Sequence, residues 1–175
     1  GAKAQGLSRR DFLRTGSGMA AALLAFNHVF GDVYEVSADE VKDHFGKVNQ
    51  IYNNAGIAFT GDIDITPFKD IERVMDVDYW GVVNGTKAFL PHLIASGDGH
   101  IVNISSVFGL FAVPGQAAYN SAKFAVRGFT EALRQEMILA RHPVKVTTVH
   151  PGGIKTAIAR NATAAEGIDT ATLAK

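Results

Sequence analysis

Cysteine is absent from this chain of 175 residues. The absence excludes disulfides, thiolate metal sites and a cysteine nucleophile, although it does not fix a cellular compartment. An excess of charge of one sign is also absent, because 17 lysines and arginines balance 17 aspartates and glutamates. A chain without net charge has no electrostatic footprint for nucleic acid or for an anionic membrane. We therefore expect neither as a partner.

Metal-ligand spacing and long apolar runs are lacking as well. Scattered histidines usually serve surface or packing roles, so we expect no bound metal. The apolar stretch at residues 19–26 is too short to cross a bilayer, so no stable membrane span is expected. The length fits most simply one domain. The six histidines are His28, His44, His92, His100, His142 and His150.

The first 36 residues differ in character from the rest of the chain. Residues 8–14 carry an arginine pair followed by Phe-Leu, and the apolar stretch comes next. This order resembles a twin-arginine export signal, with small residues at 36–38 before a cleavage site. An amphipathic surface helix with Ser8 as its N-cap is the alternative interpretation.

A glycine-rich motif in the same segment matches a loose form of a dinucleotide-binding fingerprint. Residues 16–21 fit G-x-G-x-x-A. The fingerprint needs a buried strand directly before it, so that the turn delivers a phosphate to a helix N-terminus. Charged residues at 9–14 precede the motif instead, so we expect no phosphate loop here.

From residue 37 the pattern alternates between short strands and helices. Such alternation predicts an α/β fold, a parallel sheet with flanking helices, whose ligands gather beyond the carboxyl ends of the strands. Strands are predicted over residues 48–53, 100–105 and 144–149.

Three helices are predicted between and before these strands. A capping box at Ser37 opens a short helix that stops at Gly46. The second begins at Thr66-Pro67 and runs toward residue 93, with Pro91 expected to kink or end it. The third runs from 119 to about 140. After residue 153 the polar, alanine-rich chain predicts a loop or a fraying helix.

The spacing of Tyr119 and Lys123 predicts chemistry. Positions i and i+4 share one face of a helix, so the ammonium should lie beside the phenol. A phenol with a pKa near ~10 is a poor acid–base catalyst at neutral pH, and an adjacent cation favours the phenolate. Ser106, at the end of a predicted strand, would hold the substrate oxygen that the phenol protonates. The three residues predict a proton-transfer site for a carbonyl or an alcohol.

Four motifs occur in order between residues 53 and 156. They are N-N-A-G at 53–56, I-S-S at 104–106 followed by Gly109, Y-x-x-x-K at 119–123 and P-G-x-x-x-T at 151–156. In this order and spacing they resemble the short-chain dehydrogenase/reductase family over residues 37–160. The resemblance implies a Rossmann-type fold that binds NAD or NADP. It also implies hydride transfer between that cofactor and a small-molecule carbonyl or alcohol.

The resemblance carries roles to individual residues. It implies that Tyr119 is the general acid and base, that Lys123 favours the phenolate and holds the nicotinamide ribose, and that Ser106 binds the substrate oxygen. Tyr119 as an ordinary half-buried aromatic remains the alternative, as does a simple turn built by Asn53 and Gly56. The cofactor residues implied are Asn53, Ala55 and Gly56 on the adenosine side, and Pro151, Gly152, Ile154 and Thr156 beside the nicotinamide.

The chain departs from the family pattern at its fourth catalytic position. The family has an asparagine three residues before a glycine, and this chain has Asp78 before Gly81. An ionised aspartate cannot donate a hydrogen bond but can accept one from water, so Asp78 implies an altered proton relay. A solvated acid on the helix surface is the alternative.

A second departure concerns the extent of the family fold. The first strand-helix units, with their glycine-rich turn, are not recognisable, so we expect a partial Rossmann-type sheet that lacks the first βαβ units. The expected division is a signal-like segment at 1–36, a partial dehydrogenase domain at 37–160 and a tail or loop at 161–175. A catalytically silent fragment that serves as a scaffold is the rival hypothesis.

Two further expectations rest on the same segments. The enzyme-like body favours the cytoplasm, whereas the arginine pair favours export. The resemblance implies a homo-oligomer, because family members commonly pair their helices across two-fold axes.

Overall fold

The computed structural model describes residues 37–154, 158 and 161–168. The arginine-pair segment, the glycine-rich motif at 16–21 and Thr156 lie outside these residues. The strands are β1 (Gln50–Asn53), β2 (Phe59–Thr60), β3 (Gly99–Ile104), β4 (Val144–Val149) and β5 (Thr163–Ala164). The helices are α1 (Ala38–Phe45), α2 (Phe68–Met75), a π-helix (Asp76–Trp80), α3 (Gly81–Ser96), a 3-10 turn (Val107–Gly109) and α4 (Ala117–Leu139).

The predicted α/β fold is confirmed. Strands β1, β3 and β4 form a parallel sheet in that spatial order, and α3 and α4 are the crossovers between neighbours. The register places Asn53 beside Asn103 and Ile104 beside Val149. The carboxyl ends of all three strands therefore meet at one edge, where ligands of such sheets bind.

One apolar core joins the sheet to its crossover helices. Phe89 and Leu93 of α3 are fully buried, and so is Ile101 of β3. Leu133 and Met137 of α4 belong to the same cluster. Because the core clamps both helices to the sheet, the chain segments that leave the strands are held in fixed positions.

The short first helix follows its sequence signals. The Ser37 hydroxyl accepts the Glu40 N–H, and the Glu40 carboxylate accepts the Ser37 N–H, as a capping box requires. The helix ends at Phe45, and Gly46 follows with φ of 74°. Both predicted ends are confirmed.

The second helix begins one residue later than predicted, and it does not end at Pro91. Pro67 is the N-cap with extended dihedral angles, and the Thr66 hydroxyl donates to the Asp62 carbonyl instead of capping the helix. At the other end, α3 continues past Pro91 to Ser96. Pro91 is exposed while Phe89 and Leu93 are fully buried, so packing on both sides holds the helix together despite the missing N–H.

A π-helix interrupts what the periodicity predicts as one helix. The N–H of Gly81 donates to the carbonyl of Asp76, five residues earlier. The wider turn moves the following residues round the helix axis, and segments of this kind often occur at functional sites. Asp78 lies in its centre.

The end of the described chain also differs from the prediction. Residues 163–164 form β5, which pairs in parallel with β2. Ala165 is buried against Phe59 in a second small cluster. Burial of the short alanine side chain explains how an alanine-rich segment without strand periodicity joins the fold.

Candidate active site

The end of β3 supplies the serine. Ser106 follows the strand, and its Oγ accepts the N–H of Phe108 at 3.1 Å, which caps the 3-10 turn. The turn is also fixed from the neighbouring strand, since Val107 N–H donates to the Pro151 carbonyl at 3.0 Å. The His150 ring contacts the Ser106 carbonyl through Nδ1 at 3.0 Å. The backbone around Ser106 is therefore held in place by the residues that follow β4.

The 3-10 turn packs directly on the backbone of α4. A Cβ added to Gly109 would meet Ser105 Oγ and lie 2.7 Å from the Lys123 carbonyl oxygen. Ser105 Oγ itself donates to that carbonyl at 2.8 Å. Only glycine permits this close approach, which sets the distance between the serine-bearing strand end and the helix.

Tyr119 and Lys123 lie on one face of α4, as their spacing predicts. The Lys123 Nζ is 5.5 Å from the centroid of the Tyr119 ring. Both side chains are buried, and the ring of Phe108 packs edge-on against Tyr119 with centroids 6.4 Å apart. Among the described residues, the Tyr119 hydroxyl has no hydrogen-bond partner. The phenol oxygen is thus available to a ligand.

Asp78 joins the lysine from the π-helix. Its Oδ2 lies 3.0 Å from Lys123 Nζ, and its Oδ1 accepts the N–H of Ile57 at 2.8 Å. Lys123 also donates to the Ile104 carbonyl at 3.3 Å. Asp78 is 0% exposed, so the alternative of a solvated surface acid is wrong.

Burial controls the ionisation of Asp78. Desolvation raises the pKa of its carboxyl above the ordinary value of 3.8, because a charge is costly in a dry environment. The charge of Lys123 and the hydrogen bond from Ile57 oppose that rise. The ion-pair contact and the N–H donated to Oδ1 both favour the carboxylate.

The glycine of the N-N-A-G motif touches this ion pair. A Cβ added to Gly56 would lie 3.2 Å from Lys123 Nζ and 3.4 Å from Asp78 Oδ2. Gly56 and Ala55 are half-buried, immediately after β1. Four sequence-predicted residues, Gly56, Asp78, Tyr119 and Lys123, are therefore brought together.

Asn53 lies deeper, inside a buried polar network. Its Nδ2 donates to Thr86 Oγ1 at 3.1 Å and to Asn103 Oδ1 at 2.7 Å. Asn103 donates onward to Thr130, whose hydroxyl donates to the Val126 carbonyl. The network ties β1 to β3 and to both crossover helices. The role of Asn53 as a ligand of the cofactor stays a prediction.

Three residues of this network were not predicted from the sequence: Asn103, Thr86 and Thr130. A signal existed for the first of them, because Asn103 is the only polar residue in the run Ile101–Ile104 of a buried strand. Buried polar side chains need partners, so such a residue indicates a network. The threonines sit within long helices and give no comparable signal.

The last motif borders the site from the end of β4. The Pro151 carbonyl accepts the N–H of Val107. A Cβ built on Gly152 would lie within van der Waals distance of the Val107 side chain. Ile154 is 64% exposed. Thr156 falls outside the described residues, so its place at the site stays a prediction.

Comparison with known proteins identifies close relatives. The family model described as short chain dehydrogenase matches residues 25–167. The SadH protein of Mycobacterium tuberculosis is 77% identical over 138 residues, which cover 79% of this chain and 50% of that protein. The chain thus spans about half the length of this relative.

Two solved structures resemble the fold. A short-chain dehydrogenase/reductase of Burkholderia phymatum in complex with NAD superposes with a TM-score of 0.69 and 34% identity, covering 71% of this chain and 44% of that one. A gluconate 5-dehydrogenase of Burkholderia cenocepacia in complex with NADP and tartrate gives a TM-score of 0.66 and 33% identity. It is matched over 70% of this chain and 48% of its own.

Proposed function

This chain belongs to the short-chain dehydrogenase family, and we propose that it acts as an oxidoreductase on a carbonyl or alcohol substrate with NAD or NADP. The observation that carries the proposal is the Tyr119 hydroxyl. It has no hydrogen-bond partner among the described residues and shares a helix face with the Lys123 ammonium. The site also lies at the carboxyl edge of a parallel sheet, where such folds bind ligands.

The residues around Lys123 fit a nicotinamide cofactor. An ammonium has three N–H donors; one of them donates to the Ile104 carbonyl, and Asp78 Oδ2 lies 3.0 Å away as the ion-pair partner. A third donor is therefore left for a ligand hydroxyl such as that of a ribose. Gly56 has no side chain, and a Cβ there would press on the same ammonium. Lys123 and the backbone at Ala55 and Gly56 would hold the cofactor.

The side chains then divide the proton chemistry between them. A bound nicotinamide supplies the hydride for reduction or accepts it in oxidation. Ser106 donates a hydrogen bond to the substrate oxygen, and Tyr119 gives that oxygen its proton, or removes one from an alcohol. Lys123 stabilises the phenolate that remains. General acid–base catalysis of this kind contributes about 10²- to 10⁴-fold to a rate.

Titration of the purified chain with NADH and with NADPH tests the proposal. We expect enhanced nicotinamide fluorescence and a rise in melting temperature with at least one of them. A ligand at 100 times its dissociation constant stabilises the folded state by about 2.7 kcal/mol. No response to either cofactor at millimolar concentration would overturn the enzyme proposal and favour the silent scaffold.

A matched pair of variants makes the titration specific to the site. Lys123→Met removes the ammonium and should weaken the binding of whichever cofactor responds. Lys145→Met removes a lysine from an exposed position of β4 and should leave the affinity unchanged. Equal affinity in the two variants would contradict the proposed role of Lys123.

Within the described residues, no helix is both long and apolar enough to cross a bilayer. We propose separately that the substrate is a small molecule that enters from the side of the strand ends, where ligands of parallel sheets bind. A panel of ketones and aldehydes, followed by cofactor absorbance, tests that part of the proposal. Oxidised cofactor that forms only when a carbonyl is present would support it, whereas no consumption with any carbonyl would refute it.

A further inference from the structure

A row of aromatic rings leads from the candidate site to the protein surface. The ring of Phe108 packs edge-on against Tyr119 with centroids 6.4 Å apart, and the ring of Phe111 packs edge-on against Phe108 at 5.7 Å. Tyr119 is buried, Phe108 is half-buried and Phe111 is 54% exposed. We call these three rings the aromatic row. Exposure increases along the row, so its outer end is open to a ligand that approaches Tyr119 from solvent.

Phe108 contacts both groups that would hold the substrate oxygen. Its ring packs on Tyr119, and its backbone N–H donates to Ser106 Oγ at 3.1 Å. The next part of the row is fixed as well, because the N–H of Phe111 donates to the Val107 carbonyl at 3.2 Å. A carbonyl group bound by Ser106 and Tyr119 therefore has the Phe108 ring as a neighbour.

The chain segment that carries the row has no charged side chain. Residues 105–122 contain no aspartate, glutamate, lysine, arginine or histidine. Leu110, which precedes Phe111, is 47% exposed, so two adjacent large apolar side chains are accessible to solvent. Exposed apolar patches often mark a binding site. Because the row begins at the phenol, the occupant that fits it is the apolar part of the substrate.

The basic side chains that contact this strand end are already engaged with protein oxygens. Lys123 is 3% exposed and donates to the Ile104 carbonyl, and the His150 ring contacts the Ser106 carbonyl. Neither side chain offers a free cation to the outer part of the row. An anionic substituent there would be removed from water without a partner, which is costly.

Two carboxylates border the outer end of the row. The residues that directly follow Phe111 line a cavity of about 720 Å³ together with Asp62 and Asp64. Both aspartates are exposed. Because like charges repel, an anionic group that entered here would bind less well than a neutral group of the same shape.

We infer that the aromatic row binds the apolar substituent of the substrate, so that the site takes uncharged aryl or alkyl ketones and aldehydes, and the matching alcohols, in preference to carbonyl acids. The inference rests on the proposed function for the carbonyl that Ser106 and Tyr119 hold. Phe108 and Phe111 are then the residues that determine specificity. Aromatic groups prefer edge-on or offset contacts with one another, and the exposed ring of Phe111 is accessible for such a contact.

Three para-substituted acetophenones test the inference, because they share one carbonyl and differ in one group. The para-ethyl compound is apolar, the para-carboxamide is polar and neutral, and the para-carboxylate has nearly the shape of the amide but carries a negative charge. Dissociation constants are measured by ligand-observed NMR with the chain alone and again with oxidised cofactor, which cannot reduce the ketone. We expect the ethyl compound to bind most tightly, and the carboxylate to bind about tenfold more weakly than the amide.

Variants of the row show whether the ketones bind there. Phe111→Ala removes an exposed ring and should leave the fold intact, and Phe108→Leu keeps an apolar side chain but removes the inner ring. Each should weaken the binding of the ethyl compound about three- to tenfold, as expected for the loss of an aromatic contact. Phe45→Ala is the matched control, because it removes a 37% exposed ring at the end of α1, before β1 begins. Its affinity should equal that of the parent.

The outcomes separate this inference from the proposed function. Equal or tighter binding of the carboxylate, or no binding of any of the three ketones, would overturn the inference even if the chain binds cofactor. Unchanged ketone affinity in both row variants would also overturn it, and a simultaneous change in their sedimentation would identify the row as a contact between copies of the chain.

Two results would support the inference. Preference for the ethyl compound, lost in the row variants, in a chain that binds neither cofactor would support the row as a binding surface and refute the enzyme proposal. The same preference in a chain that binds cofactor supports both.

Discussion

The ammonium of Lys123 is paired with the buried carboxylate of Asp78 at 3.0 Å, while it also lies 5.5 Å from the centroid of the Tyr119 ring. One side chain thus links an ion pair to the phenol that we propose as the proton donor. The link crosses three chain segments, because Asp78 lies on the π-helix, Ile57 follows β1 and Lys123 lies on α4. Stability and chemistry at this site should therefore respond to the same substitutions.

Lys123→Met should destabilise the fold strongly at neutral pH. The substitution leaves the Asp78 carboxylate buried without its cation, and breaking a buried pair in this way costs about 3–5 kcal/mol. The free energy of unfolding in urea measures the loss. Lys145→Met, at an exposed position of β4, should change it by less than about 0.5 kcal/mol.

The loss of unfolding free energy in Lys123→Met should depend on pH. The raised pKa of Asp78 means that the folded state holds the proton more tightly than the unfolded chain. The stability from that proton is fully present below the ordinary value of 3.8 and is lost as pH rises through the folded-state value. Removing Lys123 removes an influence that lowers the pKa of Asp78. The pH-dependent loss of folding stability therefore becomes larger and extends to higher pH.

We therefore expect the difference in unfolding free energy between the parent and Lys123→Met to be smallest near pH 4 and to increase toward pH 8. Urea titrations across this range measure the difference. A difference that stays constant, or that shrinks as pH rises, would contradict the influence of Lys123 on the pKa of Asp78.

Gly56→Ala should disturb the ion pair by steric contact. The new methyl group would lie 3.2 Å from Lys123 Nζ, and overpacking at a tight position costs about 1–3 kcal/mol. Thermal unfolding and cofactor titration should both reveal the loss. Gly128→Ala is the control, because a Cβ there meets nothing within 4 Å on an exposed turn of α4. It should stabilise the helix by about 0.5–1 kcal/mol.

Thr130→Val should weaken the sheet without touching the site. The valine is nearly isosteric but leaves the Asn103 Nδ2 without its acceptor, and an unsatisfied buried donor costs about 1–3 kcal/mol. Thr147→Val removes a hydroxyl from an exposed position of β4, where it contacts His100 Nε2 at 2.9 Å; because water can replace that exposed contact, the cost should be smaller than for Thr130→Val. Equal costs for the two variants would refute the importance of the buried network.

Much of the sheet could be predicted from the sequence, because its signals are local. The strand at Val144–Val149 has the predicted bounds, and β3 and α4 lie within two residues of theirs. β3 contains a short apolar run, β4 begins with alternating buried and exposed residues, and α4 follows a helical repeat. The interruption at Asp76–Trp80 could not be predicted, since a π-turn changes hydrogen bonding without changing residue types.

The site was predictable to the same extent and for the same reason. Tyr119 and Lys123 meet because their spacing is set by one helix, which a sequence reveals. The partner of Lys123 depends on a contact between α4 and a segment 45 residues earlier, at Asp78. A charged residue in a helix is usually solvated, so only the tertiary contact distinguishes this buried acid from a surface acid.

Whether Tyr119 transfers the proton can be measured as the turnover of Tyr119→Phe with the reduced cofactor and a carbonyl that the parent chain accepts. Tyr79→Phe is the matched control, since it removes the same hydroxyl from a tyrosine that packs against Trp80 and Phe129. We expect Tyr119→Phe to lower turnover by about 10²- to 10⁴-fold while cofactor affinity stays nearly unchanged, and we expect Tyr79→Phe to keep the parent rate. Turnover by Tyr119→Phe within a few-fold of the parent would contradict proton transfer by Tyr119.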